Sequence, residues 1–247
     1  MIPYTLYDPS GNITALAEDP GQYSDRASAA KQIMSAEPRC EQVGFIVPKQ
    51  GAEDIRLCMA GGEFCGNAVF AAAVHFVINT ADVNSETKIV RVASSGADET
   101  IDVSVTKEEG AFRCSYRFPA LPKKTVTEGL DAVILPGITH CILWDPMPDE
   151  EAEKLVKELC VRTGSDAMGL MFLDAQRLKV RPLVYVRDPE TLVWENSCAS
   201  GSVAIASALT KYRKTPFSDT LSYPGGEIGI AVDETGRVTL TETIKIL

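Results

Sequence analysis

Apolar positions divide this chain into short runs of period two and a few longer runs of helical spacing. Residues 2 to 18 read as two short strands around Asp8-Pro9-Ser10-Gly11-Asn12, residue types that favour a turn. Ser24 is placed to cap a helix running to about Glu37, because Ala30, Ile33 and Met34 fall on one side of it. Strands are expected at Gln42 to Pro48 and Asp54 to Met59, after which Ala60-Gly61-Gly62 delivers the chain to a cysteine. Thr87 to Ser95, Thr100 to Thr106 and Phe112 to Phe118 alternate as half-buried strands do. Pro119 ends the last of these, so residues 119 to 124 mark the expected boundary between two halves.

The second half repeats the order. Asp131 to Leu135 and His140 to Trp144 read as strands around Pro136-Gly137-Ile138-Thr139. Asp149 opens a helix to about Thr163, with Glu150, Glu151 and Glu153 near its positive end and Lys154 and Lys157 further on. Strands at Leu170 to Leu173 and Val180 to Val186 lead to a second cysteine, and Glu227 to Val232 and Arg237 to Leu247 close the chain as strands. The expected lobes are 1–121 and 122–237, with a final strand at about 238–247 returning to the first.

The two cysteines sit in matched contexts. Glu63-Phe64-Cys65-Gly66-Asn67-Ala68 runs into the small-residue apolar helix Val69-Phe70-Ala71-Ala72-Ala73-Val74. Asn196-Ser197-Cys198-Ala199-Ser200-Gly201-Ser202 runs into Val203-Ala204-Ile205-Ala206-Ser207-Ala208-Leu209. An internal duplication with one thiol per half is the simplest reading. A helix start carries unsatisfied N–H groups and the positive end of the macrodipole, so it favours a thiolate and binds anions. Each cysteine is therefore a candidate acid or base, and backbone N–H groups at Gly66, Asn67, Ala199 and Ser200 are candidates to hold a carboxylate. Asn12, Glu63, His140, Arg187 and Glu195 are further candidates for substrate contact. Four of these also have a plain structural reading: Asn12 as a turn residue, Glu63 as a helix-start carboxylate, Arg187 and Glu195 as surface ion-pair partners. Cys40, Cys58, Cys114, Cys141, Cys160 and His75 read as core residues.

Composition narrows the function classes. A net charge of −10 without any Lys/Arg run argues against nucleic acid and anionic membranes as partners. Seven cysteines without C-x-x-C or Cys/His clustering fit a reducing compartment better than a disulfide framework or a zinc site. No basic leader or long apolar run is visible, so the cytoplasm is the expected location. No metal and no cofactor is expected.

The sequence resembles the cofactor-independent amino-acid racemases and epimerases typified by diaminopimelate epimerase. Cys65-Gly66-Asn67 matches the family's first cysteine stretch, and Cys198-Ala199-Ser200-Gly201 matches the second with alanine for the usual glycine. Gly11-Asn12, Gly62-Glu63, Thr139-His140 and Tyr185-Val186-Arg187 stand where the family has Gly-Asn, Gly-Ser-Glu, Asn-Pro-His and Tyr-Glu-Arg. The resemblance implies an α/β fold of two similar lobes, each a mixed or antiparallel sheet wrapped around a central helix. It also implies a site in the cleft between the lobes and inversion of an α-carbon by a thiol and a thiolate. Val186 in place of glutamate, and the altered context of Ile138 and Thr139, point to an amino acid other than diaminopimelate, with histidine as the guess because histidine racemases are a branch of the superfamily. Diaminopimelate epimerase proper, another isomerase of the superfamily and a non-catalytic amino-acid binding protein are the alternatives. The expected partner is a small amino acid, and self-association as a homodimer is left open.

Overall fold

The computed structural model describes residues 2–19, 21–23, 25–80, 86–187 and 190–247. In chain order the elements begin with β1 (Thr5–Pro9), β2 (Thr14–Glu18), α1 (Arg26–Ala36), β3 (Gln42–Val47) and β4 (Ile55–Met59). Next come α2 (Gly66–Thr80), β5 (Lys88–Ser94), β6 (Ile101–Glu108) and β7 (Ala111–Arg117). Then follow β8 (Lys123–Thr127), β9 (Leu130–Leu135), β10 (Ile138–Leu143), α3 (Asp149–Thr163), β11 (Ala167–Asp174) and β12 (Lys179–Val186). The last are β13 (Thr191–Trp194), α4 (Ala199–Leu209), β14 (Phe217–Tyr223), β15 (Gly226–Val232) and β16 (Val238–Ile246). The chain forms two compact units, Met1–Pro119 with Thr241–Leu247 and Ala120–Leu240. The division falls inside β16, which begins in the second unit and ends in the first.

In the first unit β1 and β2 are antiparallel, β2 runs parallel to β3, β3 is antiparallel to β4, β4 is parallel to β5, and β5, β6 and β7 form a meander. β16 lies beside both β7 and β1, with Pro9 opposite Ile244, so the strands close into a ring and neither end strand is left as an edge. Inside the ring is α2. Gly66 through His75 are all buried, and β1, β2, β4, β5, β6 and β7 all touch the helix. A helix apolar on every side has this one place to go, since each buried Val or Phe side chain contributes roughly 1.5–3 kcal/mol. The small residues Ala68, Ala71, Ala72 and Ala73 let the surrounding strands approach it. α1 covers β3, placing Ala29, Ala30 and Ile33 against Val43 and Phe45. Its cap is Asp25, whose Oδ1 accepts the Ser28 N–H at 3.0 Å; the expected cap, Ser24, lies outside the described residues.

In the second unit β8, β9 and β10 are antiparallel, β10 is parallel to β11, and β11 is antiparallel to β12. β12 carries β13 antiparallel and meets β14 in parallel where Lys179 faces Ser222, and β14 and β15 form a hairpin. Both α3 and α4 touch β11, whose residues Ala167–Met171 are all buried regardless of pleat. α4 rests on β9, β10, β11 and β15 with all but Ser200 buried, whereas α3 buries Ala152, Val156, Leu159 and Cys160 and packs Leu155 partly against the same core.

Three strands escape the pattern of the sequence: β8, β13 and β14. β8 is largely exposed and opens with Lys123 and Lys124, and β13 has only four residues, none of them buried. The second half therefore reads helix, three strands, loop, cysteine, helix, with β13 inserted before the loop.

Candidate active site

Each unit presents a cysteine at the start of its most buried helix, and in both the cysteine carbonyl opens the helical hydrogen-bond ladder. The Cys65 carbonyl accepts the Val69 N–H at 3.1 Å, and the Cys198 carbonyl accepts the Ser202 N–H at 2.9 Å. Each is the first intrahelical bond of its helix, which makes the cysteine the residue before the first turn.

Cys65 is half-buried, and its thiol donates to Gln42 Oε1 at 2.8 Å. The Gln42 amide is fixed from its other end: Nε2 donates to Thr14 Oγ1 at 2.8 Å and to Asn12 Oδ1. Asn12 in turn donates through Nδ2 to Glu41 Oε2 at 2.8 Å. With both Nε2 contacts made to oxygen, Oε1 is the amide atom that faces the sulfur, and a carbonyl oxygen can accept from S–H but offers nothing to a thiolate. The parallel pairing of β2 and β3, with Thr14 beside Gln42, creates this arrangement. The loop before Cys65 is braced by Ser95, whose Oγ donates to the Glu63 carbonyl at 2.8 Å and accepts the Met59 N–H at 2.9 Å. Gly96, at φ +71°, lies under it so closely that a Cβ there would meet Phe64 N at 2.4 Å.

Cys198 is buried, and its sulfur accepts the Gly201 N–H at 3.4 Å, capping α4 with a thiol. Burial pushes this thiol well above its ordinary range; the charge of Glu195 and its hydrogen bond push the same way, and Ser200 and the Gly201 N–H pull back. The ordinary state of Cys198 is thus the protonated one. Ser200 Oγ stands 3.6 Å from the sulfur and 2.9 Å from His140 Nε2. His140 is fully buried, and burial lowers its pKa to about 3, so it is a neutral imidazole at any ordinary pH. Two glycines make room. A Cβ on Gly169 would stand 2.1 Å from His140 Nδ1, and one on Gly201 would stand 2.3 Å from Met171 Sδ.

Of the residues singled out in the sequence, Cys65 and Asn12 share one hydrogen-bonded chain in the first unit. Cys198, Ser200, His140 and Glu195 form one cluster in the second. Gly66, Asn67 and Ala199 are buried in the first turns of α2 and α4. Glu63 is half-buried. Arg187 is tied to Asp166 at 2.7 Å at the partly exposed end of β12, as its ion-pair reading anticipated. His140 stands behind Ser200 with no exposed surface. Sequence reasoning missed Gln42, and it had no signal for it: the residue is remote from Cys65 in the chain and lies in an ordinary strand. Cys40, Cys114, Cys141 and Cys160 are buried, Cys58 is half-buried, and all seven cysteines are free thiols. Among the described residues no three His, Cys, Asp or Glu side chains are grouped to hold a metal ion. Among the same residues no helix is long and apolar enough to cross a membrane.

The whole chain superposes on solved structures of one architecture. A protein from Pseudomonas aeruginosa described as a predicted epimerase matches with a TM-score of 0.74 at 14% identity, covering 100% of this chain and 97% of that one. A phenazine biosynthesis protein of the PhzF family from Bacillus anthracis matches with a TM-score of 0.71 at 11% identity and the same coverage. These likenesses define the class: a mixed α/β protein with the fold of the PhzF and diaminopimelate epimerase-like proteins.

Sequence carries the assignment further. The chain belongs to the histidine racemase CntK family, whose N-terminal domain matches residues 1–246. A histidine racemase from Staphylococcus aureus is 30% identical over 99% of this chain and 93% of its own length. One from Fusobacterium nucleatum is 33% identical over 86% of this chain and 83% of its own.

Proposed function

We propose that this protein racemises histidine, with Cys65 and Cys198 as the paired acid and base on opposite faces of the α-carbon. Its membership of a family of isomerases, with two relatives named for that activity, supports the substrate. The single observation that carries the mechanism is the repeated placement: a cysteine whose carbonyl takes the first hydrogen bond of a buried helix, once in each unit. In one direction a thiolate takes the α-proton, the bonding pair passes into the carboxylate-stabilised carbanion, and the other thiol returns a proton to the opposite face. The sulfurs end with their protonation exchanged, ready for the reverse reaction. The α-proton is very weakly acidic, so developing charge at the carboxylate must be met by fixed donors, and the N–H groups at Gly66, Asn67, Ala199 and Ser200 are the candidates. Glu195 is a natural partner for the substrate ammonium. Pairing it with a cation would cancel part of the charge that keeps Cys198 protonated, so that substrate binding itself would help to ionise this thiol.

The test is incubation of chelator-treated, cofactor-free protein with L-histidine in D₂O, followed by chiral separation and mass measurement. D-Histidine carrying deuterium at the α-carbon should accumulate toward an equal mixture. Other amino acids and diaminopimelate in parallel arms should react far more slowly. A protein that neither exchanges nor inverts histidine, or that inverts diaminopimelate faster, overturns the reading.

A further inference from the structure

We infer that Tyr223 is a positioning residue for the second thiol, holding the backbone of Cys198 through hydroxyl groups shared with Ser202. The inference rests on the proposed role of Cys198 as an acid and base. Tyr223 ends β14 and is buried, with its hydroxyl 2.6 Å from Ser202 Oγ and 3.3 Å from the Cys198 carbonyl oxygen. Ser202 Oγ is itself 2.9 Å from that oxygen. Three oxygens in mutual reach share two hydroxyl protons, so either hydroxyl can donate to the Cys198 carbonyl while the other donates to its neighbour. The same hairpin grips the loop a second time: the Gly225 N–H donates to the Asn196 carbonyl at 2.9 Å. Carbonyls on both sides of Ser197 are thus tied to the β14–β15 hairpin.

The consequence falls on the sulfur. Cys198 sits at φ −144°, ψ 107°, outside the helix it caps, a position where the backbone has more freedom than in the turns that follow. Fixing its carbonyl fixes the Cα–Cβ direction, and with it the line along which the sulfur approaches a proton. Cys65 is held differently, by a side-chain amide on the sulfur itself. A phenylalanine at position 223 would fill the same space and lack only the oxygen. Displacement of a reacting group by about 1 Å can cost about 100-fold in rate, so partial loosening should cost roughly 10-fold.

The experiment places Tyr223→Phe in the single-thiol variants Cys65→Ala and Cys198→Ala and measures α-deuterium incorporation into each enantiomer of histidine. Exchange should fall about 10-fold where Cys198 is the remaining base and stay within about twofold where Cys65 is. Independently of activity, iodoacetamide labelling read by mass spectrometry should show Cys198 reacting severalfold faster in Tyr223→Phe, with Cys65 unchanged. Ser202→Ala should reproduce both effects. Equal slowing of the two exchanges, or an unaltered Cys198 labelling rate, overturns the assignment. Absence of exchange in both single-thiol parents would sink the two-thiol mechanism instead, and the labelling rates would still decide the role of Tyr223.

Discussion

Gln42 Oε1 accepts the thiol of Cys65 at 2.8 Å, from a residue on β3 whose other amide atom is bound to Thr14 and Asn12. This contact favours the protonated sulfur and sets its direction. Gln42→Leu keeps much of the volume and removes both functions. Racemisation should fall at least about 10-fold, in line with the misplacement of a reacting group. The Cys65 labelling rate should change while that of Cys198 does not. An unaltered Cys65 labelling profile would show that the amide does not govern the thiol.

Cys65→Ala and Cys198→Ala should each lower racemisation by about 10²–10⁴-fold, the range for loss of a general acid or base. Each variant keeps one thiol and should still exchange the α-proton of a single enantiomer, the opposite one in the two cases. Chiral analysis of deuterium uptake checks this, and near-normal turnover in either variant refutes the pairing.

Burial and then the charge of Glu195 hold the Cys198 thiol up. Glu195→Gln removes the charge and leaves burial, so the thiol should ionise at lower pH than in the parent. The measurement is the pH dependence of Cys198 alkylation in the absence of substrate. A midpoint that stays or rises contradicts the assigned cause.

Glu242 is buried on the inward row of β16, and burial pushes its carboxyl up to about 8, with Asp8 adding to the shift and Ser10 opposing it. The unfolded chain releases this proton near 4.5 and the folded chain holds it to about 8. Its contribution is therefore complete below about 4.5 and is lost as pH rises through that window. Glu242→Gln keeps the neutral shape at every pH. Its melting temperature should exceed the parent's by several degrees at pH 8, and the gap should close on acidification to about pH 5. A gap independent of pH would mean that this carboxyl does not titrate as described.

A methyl group on Gly169 would lie 2.1 Å from His140 Nδ1, so the imidazole must leave its place behind Ser200. Gly169→Ala should destabilise the protein by about 1–3 kcal/mol, as overpacking does, and should slow the reaction. Chemical denaturation and initial rates measure the two effects. A fully active, equally stable variant would remove His140 from the account of Cys198.

The sequence by itself determined the four helices and both thiol motifs, because these depend on neighbours in the chain. Unbroken runs of small apolar, alanine-rich residues after Cys65 and Cys198 favour helix, and the acidic residues after Asp149 with lysines further on mark α3 from its own sequence. Most strands were legible for the same reason, through alternation. β8, β13 and β14 were not, since strands that are short, exposed or mixed in pattern are fixed by the partners they pair with. Tertiary structure alone decided the surroundings of the sulfurs. Gln42 lies against Cys65 across 23 residues of chain with its amide aimed by Thr14 and Asn12, which the parallel β2–β3 pairing sets beside it, and Tyr223 reaches the Cys198 carbonyl because the β14–β15 hairpin returns to the start of α4. A cysteine's place at a helix start is local, but its protonation and aim depend on burial and on hydrogen bonds from residues far away in the chain, and hydrophobic periodicity carries no record of those.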